Sequence, residues 1–194
     1  MVLGVLGILQ ALALELLWEQ GVGGLDHWQA IGALATGVLQ VTGMFLGVVV
    51  IWLMYASLVM RYRWVPHFQD LVFPFVLGVL EFGLIGLMGP DRVGAFLLLL
   101  AFVFLVSSAT NYGIYQRVLR QHPERGSMSA GRVGYGPAAT NVLLLPPAAG
   151  LAAFFGPASW VTTLCLLGAN VGLVAQIGVF ARFWQESMAK RDAD

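Results

Sequence analysis

The sequence predicts an all-α fold, a polytopic bundle of six transmembrane helices that forms one transmembrane domain over residues 1–194. Hydrophobic residues make up 59 % of the chain and charged residues only 10 %, against about 25 % charged residues in a typical soluble domain. The mean hydropathy is +0.82, and the apolar residues come in long solid runs. These three observations indicate helices whose solvent is lipid.

Six stretches have about the length that a helix needs to cross the hydrocarbon core, which is about 20 apolar residues. We predict helices at residues 2–18, 31–60, 70–89, 93–117, 138–155 and 159–184. The sizeable connection is 118–137, a cytoplasmic loop in our interpretation, and its Gly, Ser, Pro and Arg content is typical of a flexible linker.

The first predicted helix, 2–18, has some features of a cleaved signal peptide, because Ala11-Leu12-Ala13 is similar to a cleavage site. A signal peptide begins with basic residues, however, and none precede this apolar run. Glu15 and Glu19 follow the run at once. We therefore expect the stretch to be retained as a helix.

The second predicted helix, 31–60, carries small and polar residues along one face. Thr36, Gln40, Gly43 and Gly47 are spaced at offsets of four, seven and eleven residues, which places them on one side of a helix. Small residues let helices approach closely, and amides and hydroxyls can then hydrogen-bond across the contact. The pattern favours helix packing, with a polar transport path as the alternative.

The third predicted helix, 70–89, places a carboxyl group at membrane depth. Glu81 lies near the middle of the helix with apolar neighbours on both sides, and a charged acid at the bilayer centre costs about 2.5–3.5 kcal/mol. We expect Glu81 to face the bundle interior, with Gln40 and Asn170 as its first candidate partners. One interpretation is a proton or cation site. The other is a neutral acid that hydrogen-bonds a neighbouring helix.

The fourth predicted helix, 93–117, ends in a polar stretch that contains Ser107, Ser108 and Asn111. Ser107 and Asn111 are four residues apart and share a face. The stretch could line a vestibule at the cytoplasmic side, or it could lie at the level of the lipid headgroups.

The fifth predicted helix, 138–155, contains Pro146 and Pro147 near its midpoint. Each proline removes a backbone donor and clashes with the carbonyl four residues earlier, which frees the carbonyls of Val142 and Leu143. We predict a break or a bend at this point. Broken helices mark many transporter binding sites, whereas a simple kink is the structural alternative.

The sixth predicted helix, 159–184, carries Asn170 near the midplane, within the GxxxG sequence from Gly168 to Gly172. Here too, close helix packing with a hydrogen bond from the amide is the favoured interpretation.

The basic residues predict that both termini lie in the cytoplasm, since Lys and Arg concentrate in cytoplasmic connections. If six helices alternate in direction, only Arg92 falls on the outer side. The basic residues on the other side are Arg61, Arg63, Arg117, Arg120, Arg125, Arg132, Arg182, Lys190 and Arg191. The use of nine arginines against one lysine favours a bacterial origin, and thus the inner (plasma) membrane of a bacterium.

Several functional classes are disfavoured by composition. The formal net charge is zero, so there is no basic surplus to neutralise nucleic-acid phosphates. The single cysteine, Cys165, excludes a disulfide framework within one chain. His27, His67 and His122 all fall in predicted connections, and no HEXXH, GxSxG, Walker A or CxxC motif is present. We expect no enzymatic activity, no cofactor and no metal site.

Two classes remain, with a lipid-modifying enzyme as a weaker third because no nucleophile, acid and base cluster together. The first is a transporter or channel for an ion or small solute, with a mid-membrane site near Glu81 and a helix break at Pro146-Pro147. The alternative is a non-catalytic membrane subunit or assembly protein, which would be part of a homo-oligomer or a membrane complex. In either case the chain is surrounded by the lipid bilayer. The candidate residues of the polar core are Glu81, Asn170, Gln40, Thr36, Asn111, Pro146 and Pro147.

Overall fold

A computed structural model describes residues 2–61, 68–121 and 135–191, and within these ranges the chain is helical without strands. Helix α1 continues directly into a π-helical turn, Leu17–Val22, and a 3₁₀ turn, Pro90–Arg92, precedes α5. The α-helices are α1 (Val2–Leu16), α2 (Leu25–Ala30), α3 (Leu34–Arg61), α4 (Phe68–Gly86), α5 (Val93–Gln121), α6 (Tyr135–Phe155) and α7 (Trp160–Arg191).

The six long helices correspond in order to the six predicted stretches, which confirms the all-helical class. Four segments are long and apolar enough to cross a membrane, which suggests a membrane protein; they are Gly4–Ala30, Leu34–Ala56, Pro90–Ile114 and Trp160–Arg182. The apolar parts of the other two long helices are shorter, Val72–Gly86 and Ala139–Phe155.

The observed helix bounds differ from the predicted ones mainly where the end of a helix is polar. Helix α7 continues to Arg191, beyond the predicted end at 184, and α5 continues to Gln121. A helix satisfies its own backbone hydrogen bonds, so it can extend past the point where hydropathy falls. The predicted loop 118–137 therefore loses its first four residues to α5 and its last three to α6. Residues 122–134 lie outside the described part of the chain.

The short helix α2 was not predicted, because a Gly-rich turn precedes it. It ends in a Schellman motif: Gly32, with φ +70°, donates its N–H to Gln29 O at 3.1 Å, and Ala33 N donates to Trp28 O at 2.9 Å. This turn reverses the chain and lays the buried Trp28 ring on α3. A Cβ at Gly37 would come within 2.6 Å of that ring, so glycine is required there.

The long helices α3, α7, α6, α5 and α4 pack in that order into a ring, and α1 covers the seam between α3 and α4. The three turns that contain α2, residues 87–92 and residues 156–159 meet at one end of the ring, which we call the turn end. Contacts of α3 with Gly89 and Pro157 join them there. The opposite end, where α3, α5 and α7 reach Arg61, Arg120 and Arg191, is called the arginine end.

Helix α6 runs as one helix through Pro146 and Pro147, so the prolines do not divide it into two segments, and the predicted bend stays a prediction. Both prolines are exposed on the outside of the bundle. Two missing N–H groups remove two bonds from a 21-residue helix, and the remaining ladder keeps the helical course. Because their side chains point away from the interior, these prolines do not line the centre of the bundle.

Candidate functional site

The centre of the helix ring contains a cavity bordered by α3, α4, α5 and α7. The space between the side chains is about 590 Å³, part of it open to the outside. Only a small fraction of this space can take a whole water molecule, enough for about two of them. Most lining side chains are apolar, and the polar ones are Glu81, Ser107, Ser108 and Gln176.

Glu81 is the acidic residue of the cavity, and it is only 2 % exposed. The side chain of Gln10 on α1 hydrogen-bonds its carboxyl group. Gln10 is itself fixed, because its Nε2 donates to the backbone oxygen of Val48 on α3 at 3.0 Å. The Oε1 atom of Glu81 is buried without a hydrogen-bond partner in the described chain. The carboxyl group is thus contacted by Gln10 of α1, and it keeps an oxygen without a partner in the described chain.

Gln176 on α7 and Ser107 on α5 supply two further unpartnered oxygens. Gln176 is 5 % exposed, and its Oε1 has no hydrogen-bond partner among the described residues. The buried Oγ of Ser107 is also without a partner there. All three unpartnered atoms of the cavity are therefore oxygens, although the amide of Gln176 could present its NH₂ group instead after a flip.

The depths of these oxygens follow from helix registers. Asn170 of α7 bonds Leu39 O of α3, and these two helices run in the same direction. Gln176 comes six residues later, about 9 Å deeper, near the level of Gly47. Glu81 shares that level, because Gln10 bonds both Glu81 and Val48 O.

Ser107 lies farther toward the arginine end than Glu81. A Cβ at Gly83 would touch Leu99 of α5 at 3.3 Å, so Glu81, one half-turn deeper on α4, lies near the level of residue 101. Ser107 is then about 9 Å beyond it. The cavity is elongated, with Glu81 and Gln176 together and the two serines nearer the arginine end.

Three predicted candidates lie elsewhere, in contacts that join helices at the turn end. Thr36 Oγ1 donates to Pro157 O at 2.8 Å, and Gln40 Oε1 accepts from Gly89 N at 3.2 Å. Asn170 Nδ2 donates to Leu39 O at 3.0 Å and to Leu166 O at 2.8 Å. None of the three is among the lining residues of the cavity. Gln40 and Asn170 are therefore not the partners of Glu81.

These three contacts form a hydrogen-bonded layer between the cavity and the turns. Thr36, Gln40 and Asn170 are all buried, and each bonds a backbone oxygen or N–H of another part of the bundle. In an apolar surrounding such bonds are not contested by water. We call this layer, formed by Thr36, Gln40 and Asn170, the turn-end seal; it lies between the cavity and the turns.

The remaining candidates do not enter the cavity in the described structure. Pro146 and Pro147 are exposed on α6. Asn111 lies in α5, but its side chain is outside the described part.

The sequence alone gave no reason to select Gln10, which places the Glu81 carboxyl. Its signal is an amide within the first apolar run, five residues before Glu15. The sequence shows how far along its helix such an amide lies, but not which neighbouring helix it will contact, because that depends on packing. Gln176 and Ser107 were visible as polar residues in apolar helices, and only the ring arrangement brings them to the cavity of Glu81.

The electrostatic character of the site is that of a receptor for positive charge. It has one carboxyl group and otherwise neutral oxygens, and no Lys, Arg or His is among the described residues that line it. No group of three His, Cys, Asp or Glu side chains suited to a metal ion occurs in the described chain. A cation held here would therefore rely on one acid together with neutral ligands.

No family model, curated protein or solved structure matches this chain.

Proposed function

We propose that this protein spans a membrane and moves an ion or small solute across it as a transporter or channel, with Glu81 as the central residue of the path. The observation that carries the proposal is the buried carboxyl group that Gln10 contacts and that keeps an oxygen without a partner in the described chain, facing a cavity in the middle of a helix ring. Intramembrane acids of this kind are costly, and they are typical of ion pathways and proton relays.

The cost of burying this acid supports a functional role for it. Gln10 offers a neutral hydrogen bond, and no described basic side chain lines the cavity to neutralise a carboxylate. The carboxyl group must then hold a proton or a cation when it lies at this depth. A group that takes up positive charge inside a membrane is a common component of ion pathways and proton relays.

Access to the site would come from the arginine end. The turn-end seal separates Glu81 from the turns, whereas Ser107 and Ser108 extend the cavity in the opposite direction and are half-buried. With the arginines in the cytoplasm, as the positive-inside rule predicts, both termini and the open end of the cavity face the cytoplasm. Movement across the membrane then requires the seal to open.

The test is a flux assay with purified protein in liposomes, using protons, Na⁺, K⁺ and a small neutral solute. We expect flux of at least one of these above that of empty liposomes. Glu81→Gln keeps the shape and removes the acid, so it should lower that flux at least tenfold. Glu15→Gln, which changes an exposed acid on α1, is the matched control and should leave flux unchanged.

Absence of flux for every tested species would contradict the transport proposal. Equal flux in the wild type and in Glu81→Gln, with both proteins monodisperse, would remove Glu81 from the path.

The second candidate function is a membrane subunit or assembly protein without transport activity. The hydrogen bonds of Thr36, Gln40 and Asn170 favour this function, because these polar side chains join parts of the bundle and do not face the cavity. For this function we expect a fixed membrane partner to co-purify at constant stoichiometry from mild detergent, together with no flux in liposomes.

A further inference from the structure

We infer that the species held in the cavity is a small, dehydrated monovalent cation of the size of Na⁺, bound between Glu81 Oε1 and Gln176 Oε1. This inference rests on the proposed function, since it names the substrate class of the same site. It is carried by two buried side chains on different helices, each with an unpartnered oxygen, that line one cavity at one depth.

The two oxygens approach the same space from different sides of the ring. Glu81 is on α4 and Gln176 is on α7, and both lie near the level of Gly47 on α3. A Cβ at Gly47 would have no atom within 4 Å, so the glycine leaves open space between the two helices. Gln10, whose Nε2 donates to Val48 O at 3.0 Å, also hydrogen-bonds the Glu81 carboxyl group and ties α4 to α1 and α3 at this level.

The charge of the site favours a monovalent ion. One carboxylate balances one positive charge, and the other polar atoms of the cavity are neutral oxygens of Gln176, Ser107 and Ser108. Calcium and magnesium sites commonly use several carboxylates or a substrate phosphate, and the described cavity offers neither. An anion would meet the carboxylate without any basic partner.

The size of the site favours a bare ion over a hydrated one or an organic solute. There is space for about two water molecules beside the lining atoms. A Na⁺ ion with one water fits this space, so the ion must lose most of its hydration shell on binding. Binding of a proton alone would turn Glu81 into a hydrogen-bond donor, and the Na⁺ binding measurement below distinguishes this state from a bound cation.

The experiment is equilibrium binding of ²²Na⁺ to the full-length protein purified in detergent, with choline maintaining the ionic strength. We expect saturable binding of one ion per chain, displaced by excess Na⁺ or Li⁺ and not by choline or Ca²⁺. Glu81→Gln should abolish binding. Gln176→Leu removes the second oxygen at similar size and should raise the Kd at least tenfold. Glu15→Gln and Gln185→Leu change exposed residues and should bind as the wild type does.

A second measurement uses the wild-type protein and therefore does not depend on whether the variants fold. Dicyclohexylcarbodiimide modifies protonated carboxyl groups in apolar surroundings, and mass spectrometry of the wild type locates the modified residue. We expect Glu81 to be modified in choline and to be protected by Na⁺ at the same pH. Modification that Na⁺ leaves unchanged, together with no saturable ²²Na⁺ binding, would overturn the inference and leave the proton as the bound species.

The outcomes separate this inference from the proposed function. Proton flux that depends on Glu81 without any Na⁺ binding would overturn the cation assignment and keep the transport proposal. Saturable Na⁺ binding at Glu81 without flux of any ion would support the cation site and contradict transport.

Discussion

Single polar side chains in this protein have two different uses, and they differ in whether they face the cavity. Thr36 and Asn170 donate hydrogen bonds to backbone oxygens of other segments. Glu81 and Gln176 line the cavity, and each keeps an oxygen without a partner there. Neither burial nor an unpartnered atom alone separates the two groups, because all four residues are buried and Asn170 Oδ1 also has no partner in the described chain. An unsatisfied oxygen that faces a cavity is the feature that points to a ligand.

The hydrogen bond of Thr36 to Pro157 should contribute measurably to stability. Thr36→Val keeps the side-chain shape and removes the Oγ1 donor, which leaves the Pro157 oxygen with one partner fewer. We expect a loss of about 0.6–1.7 kcal/mol, the range found for polar contacts inside membrane proteins. The measurement is the apparent Tm in detergent.

Thr42→Val is the matched control for this change. Thr42 lies on the same helix and is exposed, so its replacement should leave the Tm within experimental error. Equal Tm values for Thr36→Val and the wild type would mean that the turn-end seal does not depend on this bond.

At the scale of helices, close approach between backbones holds α5 against α6. A Cβ at Gly94 would lie 3.0 Å from the backbone oxygen of Ala149 and 3.2 Å from the Cβ of Ala153. A backbone oxygen cannot rotate away as a flexible side chain can. The contact of these two helices therefore requires glycine at position 94 and small residues opposite, which is how helices pack without a hydrophobic driving force between them.

We predict that Gly94→Ala destabilises the protein by about 1–3 kcal/mol, the usual cost of an overpacked contact. Gly113→Ala changes the same helix where a Cβ meets nothing within 4 Å, and the better helix propensity of alanine should leave stability unchanged or slightly raised. Thermal unfolding of both variants in one detergent measures the difference. A Gly94→Ala protein as stable as Gly113→Ala would show that the two helices can separate without cost.

At the scale of the whole molecule, the alternating helices place the three turns at one end and the arginine-bearing helix ends at the other. The hydrogen bonds of α3 to Gly89 and Pro157 tie the turns together. The cavity lies between these ends, with the turn-end seal on the side of the turns. The molecule is thus asymmetric in charge along the axis of the bundle.

The orientation in the membrane is predicted from this asymmetry. In a background with Cys165 replaced by alanine, we expect Ser127→Cys to be labelled by an impermeant maleimide only from the cytoplasmic side. Asp91→Cys, at the exposed turn before α5, should be labelled only from the outer side. Labelling of both positions from one side would contradict the six-helix topology.

The sequence by itself determined the helical class, the six long helices and the place of Glu81 in an apolar helix, because these depend on hydropathy and on position along one helix. The structure differs from the predicted bounds at the helix ends, where polar residues continue α7 to Arg191, and α6 continues as one helix through Pro146 and Pro147. Only the tertiary structure decided which polar residues meet. Gln40 and Asn170 bond Gly89 and Leu39 at the turn end, about 9 Å or more from the level of Glu81, and the ring brings Gln10 and Gln176 to the space around Glu81 instead. Position along one helix follows from the sequence, whereas the register and rotation of each helix against its neighbours are set by packing between residues far apart in the chain, and these decide the choice of partner.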